Sequence, residues 1–233
     1  MVQATNYILG LDLDGTCADF YGRMREIAAV WTNQALDSLP PVTSWSLSNW
    51  GIDDEDYQEF HRYAVTEHGL FETMAPLDGA PQALQRLEAE GLRIRIITHR
   101  LIMSSLHETT VLQTVRWLDR FRIPYWDLCF LREKDDVNAH LYLEDAPFNV
   151  ERLVVAGNDV IMMENGTNRD LTISVASASS WEGAEPMIRQ RYYDWLDAHD
   201  LSRPDHPGAV PHWREVGNAP HSSTEGEEVL NAP

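Results

Sequence analysis

Ile8-Leu9-Gly10-Leu11-Asp12-Leu13-Asp14-Gly15-Thr16 is the stretch on which the reading of the chain turns. A short apolar run bounded by a turn signal reads as a buried strand. This one ends in two carboxylates one residue apart, then a glycine and a hydroxyl. Two carboxylates this close resist ionising together unless a cation lies between them or one keeps a proton. Gly15 lets the chain turn sharply and bring backbone amides close to a ligand. The combination points to magnesium-assisted phosphoryl transfer.

Outward from that strand, the pattern alternates. Strands are expected at 7–13, 92–98, 127–131, 139–143 and 160–163. Helices are expected at 18–39, 53–68 (capped by Asp53 and closed near Gly69), 80–90, 106–121, 149–156 and 181–199. Alternating strands and helices define an α/β fold with a Rossmannoid parallel sheet covered on both faces. Residues 18–76 interrupt the alternation and read as a small helical cap inserted after the first strand. The organisation expected is a catalytic core of 1–17 and 77–201, the cap at 18–76, and an extended or disordered tail at 202–233, rich in Pro, His, Gly, Ser and Glu.

Composition limits the partners. The 233 residues carry 18 Lys+Arg against 37 Asp+Glu, a formal charge of −19, which repels nucleic-acid polymers and anionic membranes. A small phosphorylated substrate remains compatible, because a local pocket reverses the global sign. Two cysteines, Cys17 and Cys129, are too few for a disulfide framework and fit free thiols in a reducing cytoplasm. No apolar stretch is long enough to span a bilayer, and the N-terminus lacks a signal-peptide pattern. A homodimer is compatible with these features. Lys134 is the sole lysine of the chain. A position that stays lysine among arginines calls for a compact point charge rather than a planar fork; chance survival is the plain alternative.

Ligands of open α/β sheets bind beyond the carboxyl ends of the strands. Asp12 and Asp14 end the first strand. Thr98-His99-Arg100 end the second, and Glu144-Asp145 end the strand from Ala139, with Lys134 in the loop before it. Carboxylates for a metal, a hydroxyl for phosphate oxygens and a cation are the parts of metal-assisted phosphoryl transfer.

The order Asp-x-Asp-Gly-Thr, Ile-Ile-Thr, a lone Lys and Glu-Asp resembles the four motifs of the haloacid dehalogenase superfamily of aspartate-nucleophile phosphatases. Asp12-Leu13-Asp14-Gly15-Thr16-Cys17-Ala18-Asp19-Phe20 and Leu143-Glu144-Asp145-Ala146-Pro147 resemble the 5′(3′)-deoxyribonucleotidases (type C nucleotidases). The resemblance implies that Asp12 is the nucleophile, forming an aspartyl-phosphate, and that Asp14 is the general acid and then the base. It implies that Mg2+ is held by the Asp12 carboxylate, the Asp14 backbone carbonyl and Asp145, with Glu144 supporting these ligands. Thr98, His99 and Lys134 would bind the phosphoryl group. Phe20 would contact the base, and Trp45 and Trp50 are candidates to stack on it, with packing inside the cap as their plain alternative. The substrate implied is a nucleoside monophosphate. A phosphatase of another small metabolite such as a sugar phosphate, and a non-catalytic ligand-binding relative, are the alternatives.

Two positions depart from the family pattern. His99 stands where Ser is common, and Ala146 where a basic residue is common; Arg100 and Arg132 are the candidates to compensate. An EF-hand reading of Asp12–Gly15 fails, because the glycine and glutamate that loop needs are replaced by Cys17 and Arg23. Asp14 argues against dehalogenase chemistry, which has no use for a second acid there. Cys17 reads as a small core residue.

Overall fold

A computed structural model describes residues 5–41 and 47–204. Among these, one six-stranded sheet of order β3-β2-β1-β4-β5-β6 forms the centre, and every neighbouring pair is parallel. The strands are β1 (Ile8–Leu11), β2 (Arg93–Thr98), β3 (Asp127–Phe130), β4 (Leu141–Glu144), β5 (Val160–Met163) and β6 (Ala176–Ala178). The helices are α1 (Phe20–Trp31), α2 (Tyr57–His68), α3 (Leu70–Thr73), α4 (Ala80–Ala89), α5 (His107–Phe121), α6 (Pro147–Val155) and α7 (Trp181–Ala198).

β1 is the central strand. Leu9 sits in register with Ile94 on one side and Leu141 on the other. Leu9 and Leu11 are fully enclosed, as a strand covered on both faces requires. The strand order reverses between β1 and β4, so the crevice beyond their carboxyl ends is the topological switch point where such sheets bind ligands. α4 and α7 are clamped together behind the sheet: buried Glu90 receives both guanidinium prongs of Arg189, and Tyr192 donates to the Glu90 carbonyl.

α1, α2 and α3 lie between β1 and α4 in the chain. Where this segment leaves and rejoins the sheet, its two ends run side by side. Ala18 and Pro76 form an antiparallel bridge, with Asp19 N–H donating to Ala75 O at 2.9 Å and Leu77 N–H to Cys17 O at 2.7 Å. Polar hooks fasten the segment to α5. Buried Gln113 accepts from Phe71 N–H and donates to Val65 O, and the Trp117 indole donates to Met74 O.

Several elements depart from expectation. The helix expected over 18–39 spans only Phe20–Trp31: Asp19 caps it by accepting from Gly22 N–H, and Asn33 at φ 53° ends it. The helix expected from 53 starts at Tyr57; Asp53 serves through its backbone carbonyl, which accepts from Asp56 and Tyr57 N–H, rather than as a side-chain cap. Gly69 does close it, in the left-handed region. The strand expected over 139–143 is Leu141–Glu144. α3 and β6 were not anticipated. Trp50 is buried, and its indole donates to Pro40 O, so it packs inside the segment rather than standing ready to stack. Trp45 lies outside the described residues, as does the tail beyond 204. Both cysteines are free thiols. No helix among the described residues is long and apolar enough to cross a membrane.

Candidate active site

The turn after β1 is tightly wound. Leu13 O accepts from the amides of Thr16, Cys17 and Ala18. Gly15 has φ +79°, and a Cβ there would sit 2.1 Å from Asp145 Oδ2. Only glycine meets both demands, the left-handed backbone and the close approach of the two motif loops. The Trp181 indole at the head of α7 ties the turn down by donating to Thr16 O at 2.8 Å.

Lys134 follows β3 and reaches back between the ends of β1 and β4. Its Nζ lies 2.5 Å from Asp12 Oδ1 and 2.5 Å from Glu144 Oε2, with all three side chains buried. Burial opposes the lysine charge, but the two carboxylates prevail and hold the ammonium charged, with its pKa above the ordinary lysine value. Burial pushes Asp12 up to about 7; the charges of Glu144 and Asp14 act in the same direction and Lys134 against them. Asp145 is raised well above the usual carboxylate range, first by burial and then by Asp12 and Glu144.

Ligand oxygens of Asp12, Glu144 and Asp145 lie within 4.8 Å of one another. Glu144 is already committed: Oε2 faces Lys134, while Oε1 accepts from Ala146 N–H and Asn149 Nδ2. It orients the lysine and the start of α6, which leaves Asp12 and Asp145 free to ligate. Three buried carboxylates facing one ammonium fit a hard, oxygen-seeking cation. Asp14 does not join this cluster through its carboxylate.

Thr98, at the end of β2, is fully buried, and its hydroxyl has no hydrogen-bond partner among the described residues. Buried polar groups are nearly always paired, so this hydroxyl fits a ligand oxygen. His99 is exposed beside it; burial of part of the ring, and then the charges of Arg132 and Lys134, lower its pKa. Phe20 is half-buried and meets Tyr21 edge-on, packed against the core.

Three side-chain roles, those of Arg100, Asn165 and Asn168, were not foreseen. Arg100 pairs with Asp14 as a fork, with Nε to Oδ2 at 3.0 Å and Nη2 to Oδ1 at 2.6 Å. Arg132, the other candidate to compensate for Ala146, instead faces Glu133 at the surface. Asn165, in the loop after β5, donates to Asp145 Oδ2 at 2.7 Å and is itself held by Thr167. Asn168 donates to the backbone carbonyls of Asp145 and Met163. Asn165 and Asn168 sit in a stretch whose composition reads only as a turn.

A parallel sheet that gathers an Asp-x-Asp turn, an orphan threonine hydroxyl, a buried lysine and a further aspartate at its switch point defines a haloacid dehalogenase-like hydrolase. Solved structures of that kind share the fold. One is a haloacid dehalogenase-family hydrolase from Deinococcus radiodurans with bound phosphate and sodium, at TM-score 0.52 and 11% identity, covering 86% of this chain and 99% of that one. Another is a provisionally named haloacid dehalogenase-like hydrolase from Bacteroides fragilis, at TM-score 0.50 and 17% identity, covering 75% of this chain and 98% of that one. Residues 6–193 match the family described as 5′ nucleotidase, deoxy (pyrimidine), cytosolic type C protein. A provisionally named 5′(3′)-deoxyribonucleotidase of Chlorobaculum tepidum is 50% identical over 189 residues, covering 81% of this chain and 93% of its own. The chain belongs to this 5′-nucleotidase family and is a hydrolase of the phosphatase class.

Proposed function

We propose that this protein is a magnesium-dependent phosphomonoester hydrolase acting through an aspartyl-phosphate, with a nucleoside monophosphate as substrate. The observation that carries the reading is the buried Lys134 held between Asp12 and Glu144, with the Thr98 hydroxyl, unpartnered among the described residues, at the end of β2, the strand paired with β1. An ammonium and a free hydroxyl donor next to a nucleophilic carboxylate suit a phosphoryl group once a bound cation offsets the surrounding acids.

Asp12 attacks phosphorus through a carboxylate oxygen as the ester P–O bond breaks. Asp14 gives its proton to the departing oxygen. Asp14 then takes a proton from water, which attacks the acyl-phosphate, releases inorganic phosphate and restores Asp12. A carboxylate nucleophile thereby splits one difficult hydrolysis into two easier steps. Lys134 and Thr98 bind the phosphoryl oxygens, and His99 stands at the rim of the same niche. Asp12, Asp145 and the Asp14 backbone carbonyl would hold Mg2+, which when bound neutralises phosphoryl charge.

Residues 18–76 serve as the cap over the leaving group, with Phe20 at its base. The paired backbone at Ala18 and Pro76 supports these limits. Family membership and the named relative favour a deoxynucleotide over a sugar phosphate.

A phosphate-release panel over deoxynucleotides, ribonucleotides and sugar phosphates, with and without chelator, tests the reading. Chelator-sensitive turnover, fastest on a nucleoside monophosphate, is the result expected. Absence of turnover on every ester refutes the hydrolase reading, and preference for sugar phosphates refutes the substrate.

A further inference from the structure

The Arg100 fork has no place in the mechanism above, yet among the described residues it is the one guanidinium buried against the site. Its side chain is 0% exposed, whereas Asp14 is 23% exposed. The pair is therefore anchored from the inside and opens outward through the carboxylate. Arg100 is fixed on its other sides too. Nη1 donates to Thr114 Oγ1 at 3.1 Å, and that hydroxyl donates to Thr110 O on the same helix, α5. The guanidinium lies over the Phe71 ring, 4.6 Å from its centroid, so α3 forms one wall of its seat. Core helix and inserted segment thus converge on one cation, and that cation grips one catalytic carboxylate.

Side-by-side pairing sets the plane of a carboxylate as well as its position, which a point charge does not. Asp12 has no such partner among the described residues; it meets a lysine. The two aspartates, two residues apart, are thus held in different ways: Asp12 by an ammonium facing one oxygen, Asp14 by a fork that engages both.

We propose that Arg100 is the positioning residue of the acid–base step: it aims the Asp14 carboxyl at the oxygen that leaves phosphorus. This rests on the hydrolase reading above. When the ester P–O bond breaks, the electron pair stays on the leaving oxygen and the Asp14 proton neutralises it. To donate, the protonated Asp14 gives up one of the two fork contacts and turns that oxygen to the leaving group, while the remaining contact from Arg100 to the other oxygen keeps the carboxyl aimed. An alkoxide, as from a nucleotide or glycerol phosphate, needs that proton. A nitrophenolate leaves without it. The value of Arg100 therefore depends on the leaving group, which a merely structural role would not.

The experiment measures kcat/KM of the full chain in saturating Mg2+ for two esters, dUMP and p-nitrophenyl phosphate. The variants are Arg100→Met, Arg100→Lys, Asp14→Asn and the double variant Asp14→Asn/Arg100→Met. Arg100→Lys keeps the charge without the fork and guards against an unfolded methionine variant. For both Arg100 single variants, kcat/KM on dUMP should fall on the order of 10- to 100-fold, with a loss under about 3-fold on the nitrophenyl ester, because general acid catalysis supplies about 10²- to 10⁴-fold where it is needed. In the Asp14→Asn background, Arg100→Met should cost little more, as expected when two residues act as a unit. Equal losses on the two esters, or losses on dUMP that multiply with Asp14→Asn, overturn the proposal. A wild-type chain inactive on both esters overturns the hydrolase reading, and the role of Arg100 with it.

Discussion

Replacing Lys134 with methionine exposes the energetics of the site. In the native chain its Nζ faces Asp12 Oδ1 and Glu144 Oε2, on side chains only 7% and 2% exposed. Methionine fills a similar length but leaves both carboxylates buried without a cation. Removing one partner of a buried ion pair costs about 3–5 kcal/mol, most of it the penalty of the charge left behind. For a chain of this size each kcal/mol lowers Tm by about 2–4 °C, so a fall of about 6–20 °C is expected. The assay is far-UV circular dichroism melting at neutral pH, in chelator so that no divalent ion substitutes for the ammonium. The double variant Lys134→Met/Glu144→Gln removes one orphaned charge and should recover about half of the loss. A Lys134→Met chain melting within about 2 °C of wild type would refute the reasoning, because the ammonium would then not be neutralising buried charge.

Two other outcomes follow from the geometry. Gly15→Ala places a methyl 2.1 Å from Asp145 Oδ2 at φ +79°; besides about 1–2 kcal/mol of backbone strain, it should push Asp145 aside and weaken Mn2+ binding on the order of tenfold or more in calorimetric titration, and unchanged affinity would contradict the close contact. His61 is buried, its Nδ1 has no partner among the described residues, and burial lowers its pKa from 6.5 against the opposing pull of Asp14. The unfolded chain therefore binds a proton that the folded chain refuses, and stability present above pH 6.5 is lost as the pH falls below it. His61→Phe should flatten that decline in a Tm–pH series; parallel curves for the two proteins would show that His61 does not titrate between the states.

How far the sequence carried depended on the range of the determinants. β5 was legible to the residue because Val160–Met163 is apolar throughout and buried on both faces. Lys134 stood out by composition as a lone lysine, and the family resemblance implied its role; in the structure two carboxylates converge on its ammonium, an arrangement that suits a point charge better than a fork. β6 was missed because three small residues, Ala176-Ser177-Ala178, give no periodicity; the ladder to β5 makes them a strand. α3 was missed because one turn of helix has no pattern of its own, and its packing on α5 sustains it. The overlong first helix followed its apolar spacing past Asn33, where the backbone turns left-handed. Arg100 stood out in sequence only as a spare cation; its partner Asp14 lies 86 positions earlier. Asn165 gave no signal, because an asparagine that orients a carboxylate reads like one in any turn.

The central claim is that Asp12 carries the phosphoryl group between the two steps, and trapping it is the most direct test. The full chain, in Mg2+ and excess dUMP, is quenched in acid within a turnover, digested and read by mass spectrometry. The expected result is a phosphoryl group on the peptide containing Asp12, absent in chelator and absent from an Asp12→Asn variant that still folds. Phosphate release at the wild-type rate from Asp12→Asn, or a phosphoryl group found on another residue, would contradict it.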